Sequence, residues 1–194
     1  MGKFFFALMA AACLLAACGC RSAMTDEQRR AKTEAALGSF ATKLADEGAM
    51  SDERVFQALE TYLERNKFIF GAAYASPPDK SGPEQTAKVL YVYRQEGRLL
   101  RDFRPAYAFA KAATAAWYTA PLKSGKAEWS APYLDLDGAG AQVEMVTYSL
   151  PFHTYGRLVV AKGRQQGNVK FDGSSELRFI VTSDLLAEDK EPAK

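Results

Sequence analysis

Apolar residues recur at two different spacings along the chain, and the period changes near residue 68. Leu37, Phe40, Ala41 and Leu44 repeat at three- and four-residue intervals, the spacing of one helical face. Thr25 with Gln28 three residues later forms a capping box, and Asp26 and Glu27 suit the positive end of a helix dipole. Gly48 is a natural stop, so a first helix is expected between Thr25 and Gly48. Ser51, with Asp52 and Glu53 after it, starts a second helix whose stripe is Val55, Phe56, Leu59, Tyr62 and Leu63. Both stripes read as core.

Beyond residue 68 the pattern is that of strands. Phe68 to Tyr74 is expected as a strand that ends in the breaker-rich stretch Ser76 to Pro83. Val89 to Arg94 is a second, turning through Gln95 to Arg98 into Leu99-Leu100. Pro105 is placed to open an Ala-rich helix through Ala116, and Trp117 to Trp129, containing Pro121 and Gly125, reads as a loop. Asp137 to Gly140 is a turn, Val143 to Leu150 a strand, and Arg157 to Ala161 and Arg178 to Thr182 two more. Two helices followed by strands with little helix between them imply an α+β fold, N-terminal helices packed on an antiparallel sheet.

The N-terminus carries a different signal. Lys3 precedes fourteen apolar residues, Phe4 to Ala17. As a helix they would rise about 21 Å, short of a bilayer core of roughly 30 Å, so they read as the apolar region of a signal peptide. Leu15-Ala16-Ala17-Cys18 resembles the bacterial lipobox, which implies cleavage after residue 17 and diacylation of Cys18. Cys13 would then be discarded and Cys20 left as the remaining thiol, so an intramolecular disulfide is not expected. The expected organisation is a signal peptide (1–17), a lipidated tether (18–24), a folded domain (25–186) and a charged tail (187–194). The location that follows is the bacterial cell envelope, with the chain held to the periplasmic side of the inner or outer membrane by its lipid anchor.

Charge and composition mostly exclude. The chain has 194 residues with 25 Lys+Arg and 23 Asp+Glu, scattered and interleaved, which gives no basis for a nucleic-acid partner. One His and few usable Cys leave no His/Cys metal site. Asp135-Leu136-Asp137-Gly138 lacks the later ligands of a calcium loop, and His153 has no Gly-x-Ser-x-Gly elbow to serve. No phosphate loop or dinucleotide fingerprint occurs, so no cofactor, metal or catalytic residue is expected.

The middle third holds the candidate chemistry: Trp117, Tyr118, Trp129, Tyr133, Asp135 and Tyr148. Aromatic rings beside a carboxylate make a box for an ammonium group, the rings attracting the cation and the carboxylate giving it a charged hydrogen bond. Composition alone favours the plainer reading, large core residues anchored by one polar atom.

The order Phe-Ile-Phe-Gly-Ala-Ala-Tyr (68–74), Tyr-Val-Tyr-Arg (91–94), Trp117-Tyr118, Trp129-Ser130-x-Pro132-Tyr133-x-Asp135 and Thr147-Tyr148-Ser149-x-Pro151-Phe152 resembles extracytoplasmic Cache (PDC-type) sensor domains. The resemblance covers roughly residues 52–186. It implies a PAS-like single domain whose pocket takes small molecules, with Trp117, Tyr133, Asp135 and, in Val181-Thr182-Ser183-Asp184, Asp184 among its ligand contacts. Amino-acid-binding members carry an Arg two residues before the pocket Trp; here that residue is Ala115, and Arg94 is the nearest candidate for a replacement cation. The resemblance therefore implies an amine-containing ligand, better served than a standard amino acid. It implies a sensor and not an enzyme. The chain ends soon after Asp184, so any signal is expected to pass through a partner protein. The rival expectation is an envelope protein-interaction lipoprotein that keeps the fold without ligand binding.

Overall fold

The computed structural model describes residues 24–79, 86–109, 115–135, 143–153 and 179–186. The apolar N-terminal run with Cys18, the turn at 137–140, the strand at 157–161 and the tail lie outside the described residues. Among those described, the order is α1 (Asp26–Glu47), α2 (Asp52–Arg65), β1 (Gly71–Ala75), β2 (Ala87–Gln95), β3 (Arg98–Tyr107), α3 (Ala116–Ser124), β4 (Glu128–Trp129), β5 (Tyr133–Asp135), β6 (Val143–Phe152) and β7 (Phe179–Leu186).

Both N-terminal helices begin where their caps dictate. The Thr25 hydroxyl accepts from the Gln28 amide at 3.2 Å and the Gln28 side chain accepts from the Thr25 amide at 3.1 Å. Ser51 accepts from the Arg54 amide at the start of α2, and Gly48 closes α1 at a φ of 70°, open to glycine without strain. The expected apolar stripes are the buried ones.

The strands form one antiparallel sheet in the order β3-β2-β1-β7-β6-β4, with β5 also paired to β6. The last described strand is therefore central, inserted between the first strand and β6. The expected α+β fold with an antiparallel sheet is the fold observed. On one face α1 lies over β6 and β7 and α2 over β1 and β2; the other face carries α3. Each face has its own core. Leu37, Leu44, Leu59 and Leu63 pack with Leu90, Val146 and Leu185 beneath the long helices, while Ala73, Val89, Tyr91, Phe109 and Tyr118 cluster on the opposite side.

Two expectations about the middle of the chain are corrected. Pro105 does not start a helix but continues β3, the edge strand. Val89 pairs with Arg104 and Ala87 with Tyr107, so an extra residue of β3 is bulged out beside Pro105, where the missing N–H costs no ladder bond. The helix comes later, over the residues expected as a loop. Pro121 sits inside α3 and Gly125 ends it in the left-handed region (φ 68°), its N–H donating to the Pro121 carbonyl at 2.8 Å. The breakers were the end of a helix and not the body of a loop.

Candidate functional site

Alternation along the strands sorts the candidates, because successive side chains point to opposite faces. On the α3 face a cavity opens, enclosing about 500 Å³ with its mouth included. β7 contributes Thr182 and Asp184, β5 contributes Tyr133 and Asp135, and Trp117 comes from α3. Tyr91 from β2 and Arg104 and Tyr107 from β3 complete the polar and aromatic lining; Ala73, Val89 and Met145 supply apolar surface. Four residues expected from the sequence, Trp117, Tyr133, Asp135 and Asp184, thus share one cavity.

Four others do not line it. Trp129 and Tyr148 pair across β4 and β6 and lie on the helix face, their rings 5.0 Å apart. Trp129 donates to Glu34 of α1 at 2.7 Å, and the Arg30 guanidinium lies 4.6 Å from its ring centre. Arg94 also points to the helix side, donating to the Ile69 carbonyl at 3.0 Å and to the Leu63 carbonyl near the end of α2. The cause is parity: Tyr91 and Arg94 differ by three residues, so only one of them can face the cavity. Tyr118 is fully buried behind Trp117, with its hydroxyl donating to the Ser76 carbonyl at 2.9 Å.

Asp184 is the centre of the site's electrostatics. Its side chain is 4% exposed and accepts from the Thr147 hydroxyl at 2.7 Å, and Thr147 and Tyr133 share a further bond at 2.8 Å. Burial pushes its carboxyl up to about 7; the Thr147 and Tyr91 hydroxyls pull it back, and the charge of Asp135 adds to the rise. The Tyr91 hydroxyl feels the charge of Asp184 yet makes no hydrogen bond of ordinary geometry, although it is buried. Burial and Asp184 push the Tyr91 phenol far above its ordinary range, and burial and Asp184 do the same to Tyr133. Both phenols therefore stay neutral donors. A buried hydroxyl that faces a buried acid without closing a regular hydrogen bond to it makes a polar corner at the wall of the cavity.

Gly71 makes room for that corner. A Cβ placed there would stand 2.4 Å from the Tyr91 hydroxyl oxygen, so only glycine admits the ring. Arg104, on the far side of the cavity, donates through Nε to Asp102 at 2.9 Å and lies 5.7 Å from the Tyr107 ring centre; Tyr107 stacks on Trp117 at 5.8 Å. Tyr91, Arg104, Tyr107 and Thr182 are residues that sequence reasoning missed. Arg104 fell in a segment read as running into a helix, and the face of Tyr91 is fixed only by its pairing with Ala73.

A family described as the first PDC sensor domain of methyl-accepting chemotaxis protein-like receptors matches residues 55–162. The chain belongs to this family. Solved structures agree in fold. The PDC domain here is 26% identical to the extracellular domain of soHK1S-Z6, assigned as a histidine kinase, with TM-score 0.55, covering 82% of this chain and 52% of that one. It is 16% identical to the ligand-binding domain of the Campylobacter jejuni chemoreceptor Tlp3, solved with L-valine, with TM-score 0.55, covering 86% of this chain and 58% of that one. It is 18% identical to a methyl-accepting chemotaxis protein X, with TM-score 0.51, covering 81% and 59%. The chain thus spans a little over half the length of these domains. No curated protein matches it. The family is one of extracytoplasmic sensor domains, and no described helix is long and apolar enough to cross a membrane.

Proposed function

We propose that this PDC domain is a lipid-anchored, envelope-facing receptor module that binds a small amine-containing ligand in the Asp184 cavity and acts through a partner protein. The observation that carries the reading is the pair of carboxylates, Asp135 and Asp184, opening onto one cavity walled by Trp117, Tyr107 and Tyr133. An ammonium group there gains two kinds of stabilisation. It meets the faces of the rings, and it supplies the countercharge that lets buried Asp184 ionise. The amino-acid ligand of Tlp3, a protein of the same fold, is consistent with an ammonium group at such a site. The anchor rests on the lipobox-like Leu15-Ala16-Ala17-Cys18.

The test is a thermal-shift panel on the full chain in detergent, covering amines, polyamines, betaines, amino acids and small carboxylates. A ligand at one hundred times its Kd stabilises by about 2.7 kcal/mol, or roughly 5–10 °C at this size. Stabilisation by amines that is lost in Asp135→Ala and Asp184→Asn is the expected result. Hits confined to carboxylates and indifferent to both variants would overturn the amine ligand, and a flat panel would overturn the reading in favour of an envelope protein-interaction role. Labelling with a fatty-acid analogue that disappears in Cys18→Ser checks the anchor; label retained in that variant refutes it.

A further inference from the structure

Phe70, Tyr93 and Leu100 form an apolar patch that continues the α3-side core toward one end of the sheet. Leu100, Tyr93, Gly71 and Asp184 pair side by side across β3, β2, β1 and β7, so they make a single row on that face. The Phe70 ring lies 6.3 Å from that of Tyr93, and Leu100 is 37% exposed. Helix α3 packs toward the other end of β1, where its Tyr118 hydroxyl bonds to Ser76 just past Ala75. A single exposed apolar residue needs no explanation, but a contiguous cluster points to a contact.

The row lies at the end of the sheet from which the chain leads back to Cys18. Arg29, near the start of α1, donates to the Leu186 carbonyl at 3.2 Å, and Leu186 is two residues beyond Asp184 (186 − 184). Cys18 stands six residues before Met24 (24 − 18), a stretch that spans at most about 21 Å. Across the sheet, three strand spacings of roughly 4.8 Å put Leu100 about 14 Å from Asp184. An acylated Cys18 therefore holds this end of the domain, and not the α3 end, within reach of the bilayer surface. We propose that the Phe70–Tyr93–Leu100 patch seats on the phospholipid headgroup layer, with Arg65, Lys67 and Arg98 contacting lipid phosphates. This rests on the lipid anchor at Cys18 and adds which surface the anchor brings to the membrane.

The side chains around the patch suit that layer. Arg65 ends α2, Lys67 follows it, and Arg98 stands at the turn between β2 and β3; all three are exposed. Arg94 ties the two regions together, donating from β2 to the Leu63 and Ile69 carbonyls. Long basic side chains lay their stems along apolar surface and carry the charge to its polar edge, where a phosphate accepts from it. Tyrosine, apolar in its ring and polar at its tip, belongs at headgroup level. Glu64 and Glu96 are exposed at the same end, and Glu188, Asp189 and Glu191 follow Leu186 in the sequence. The contact is therefore apolar insertion with local phosphate bonds, and not attraction by a strong net charge.

The test uses the lipidated chain in vesicles of phosphatidylethanolamine and phosphatidylglycerol, three to one, in a Cys20→Ser background. A bimane label goes on Leu100→Cys or, as the control, on Lys43→Cys, an exposed position toward the far end of α1. Equal melting temperatures in detergent confirm that both labelled chains are folded. Phospholipid brominated close to the headgroup should quench the label at position 100 at least twofold more than the label at position 43. Arg65→Gln, Lys67→Gln and Arg98→Gln together should remove at least half of that difference. Equal quenching at the two positions overturns the seated patch, and leaves the anchor intact if the chain floats with the vesicles. A chain that does not float overturns both. Cross-linking of Leu100→Cys between two chains, with no excess quenching at position 100, assigns the patch to a second copy and also overturns the proposal.

Discussion

Replacing Asp184 by Asn should make the empty protein more stable at pH 8, by a smaller margin at pH 5, and leave it unchanged near pH 3. The side chain is buried, and its folded-state pKa of about 7 lies above the ordinary 3.8. A carboxyl raised in this way binds its proton more tightly when folded, so its favourable contribution is complete below the unfolded pKa. That contribution fades as pH climbs from about 4 to about 7. At 1.36 kcal/mol per pH unit, the ionised wild type carries a penalty of up to about 4 kcal/mol at pH 8. Water reaching the open cavity reduces this, so roughly 2–4 kcal/mol is the gain expected for Asp184→Asn. In a domain of this size that is about 4–16 °C in Tm. Asn keeps an oxygen to accept from Thr147 and removes only the ionisable proton, so the comparison isolates charge. The groups facing the carboxylate, Asp135, Tyr91, Tyr133 and Thr147, are common to both proteins and cancel in the difference. Urea unfolding of both proteins at pH 5, 6.5 and 8 supplies the three differences. A gap that does not grow with pH, or a variant less stable at pH 8, would refute the buried-acid argument. The same linkage sets ligand binding: an amine needs Asp184 ionised, so wild-type affinity should climb about tenfold per unit below pH 7 and flatten above it.

Three further outcomes probe the surroundings. Thr147→Val removes the hydroxyl between Asp184 and Tyr133; stability at pH 8 should fall by about 1–3 kcal/mol, and the midpoint of the Asp184 pH dependence should move higher. Denaturant titration with the pH series above reads both. Gly71→Ala forces the Tyr91 ring from its place, so calorimetry should show amine binding weakened together with a Tm loss equivalent to about 1–3 kcal/mol. Arg94→Ala should cost about 1–3 kcal/mol in urea unfolding, because the Leu63 and Ile69 carbonyls lose their donor, while ligand affinity stays within twofold. A large affinity loss in that variant would contradict its place on the helix face.

The helices were the most legible part of the chain because their signals are local. Thr25, Gln28 and Ser51 cap what they were expected to cap, and the stripes from Leu37 to Leu44 and from Val55 to Leu63 are buried. Segments with two local readings were harder. Pro105 opens helices and also tolerates edge strands, and its neighbours cannot say which applies; the bulge against Val89 and Ala87 does. Pro121 and Gly125 likewise look the same in a loop and at the end of a helix.

By itself the sequence determined the fold class, the capped starts of the two N-terminal helices, the periods of the strands and the pool of aromatic and acidic residues from which a site could be drawn. Each of these depends on residues within a few positions of one another. Which of those residues meet was decided by tertiary structure. β7 enters between β1 and β6, bringing Asp184 beside Thr147 and within reach of Tyr91, partners 37 and 93 positions away (184 − 147 and 184 − 91). Strand parity then turned Trp129, Tyr148 and Arg94 toward α1 and α2, and Arg104 into the cavity. A shift of one residue in pairing exchanges the two faces of a strand, and that register is a property of the assembled sheet.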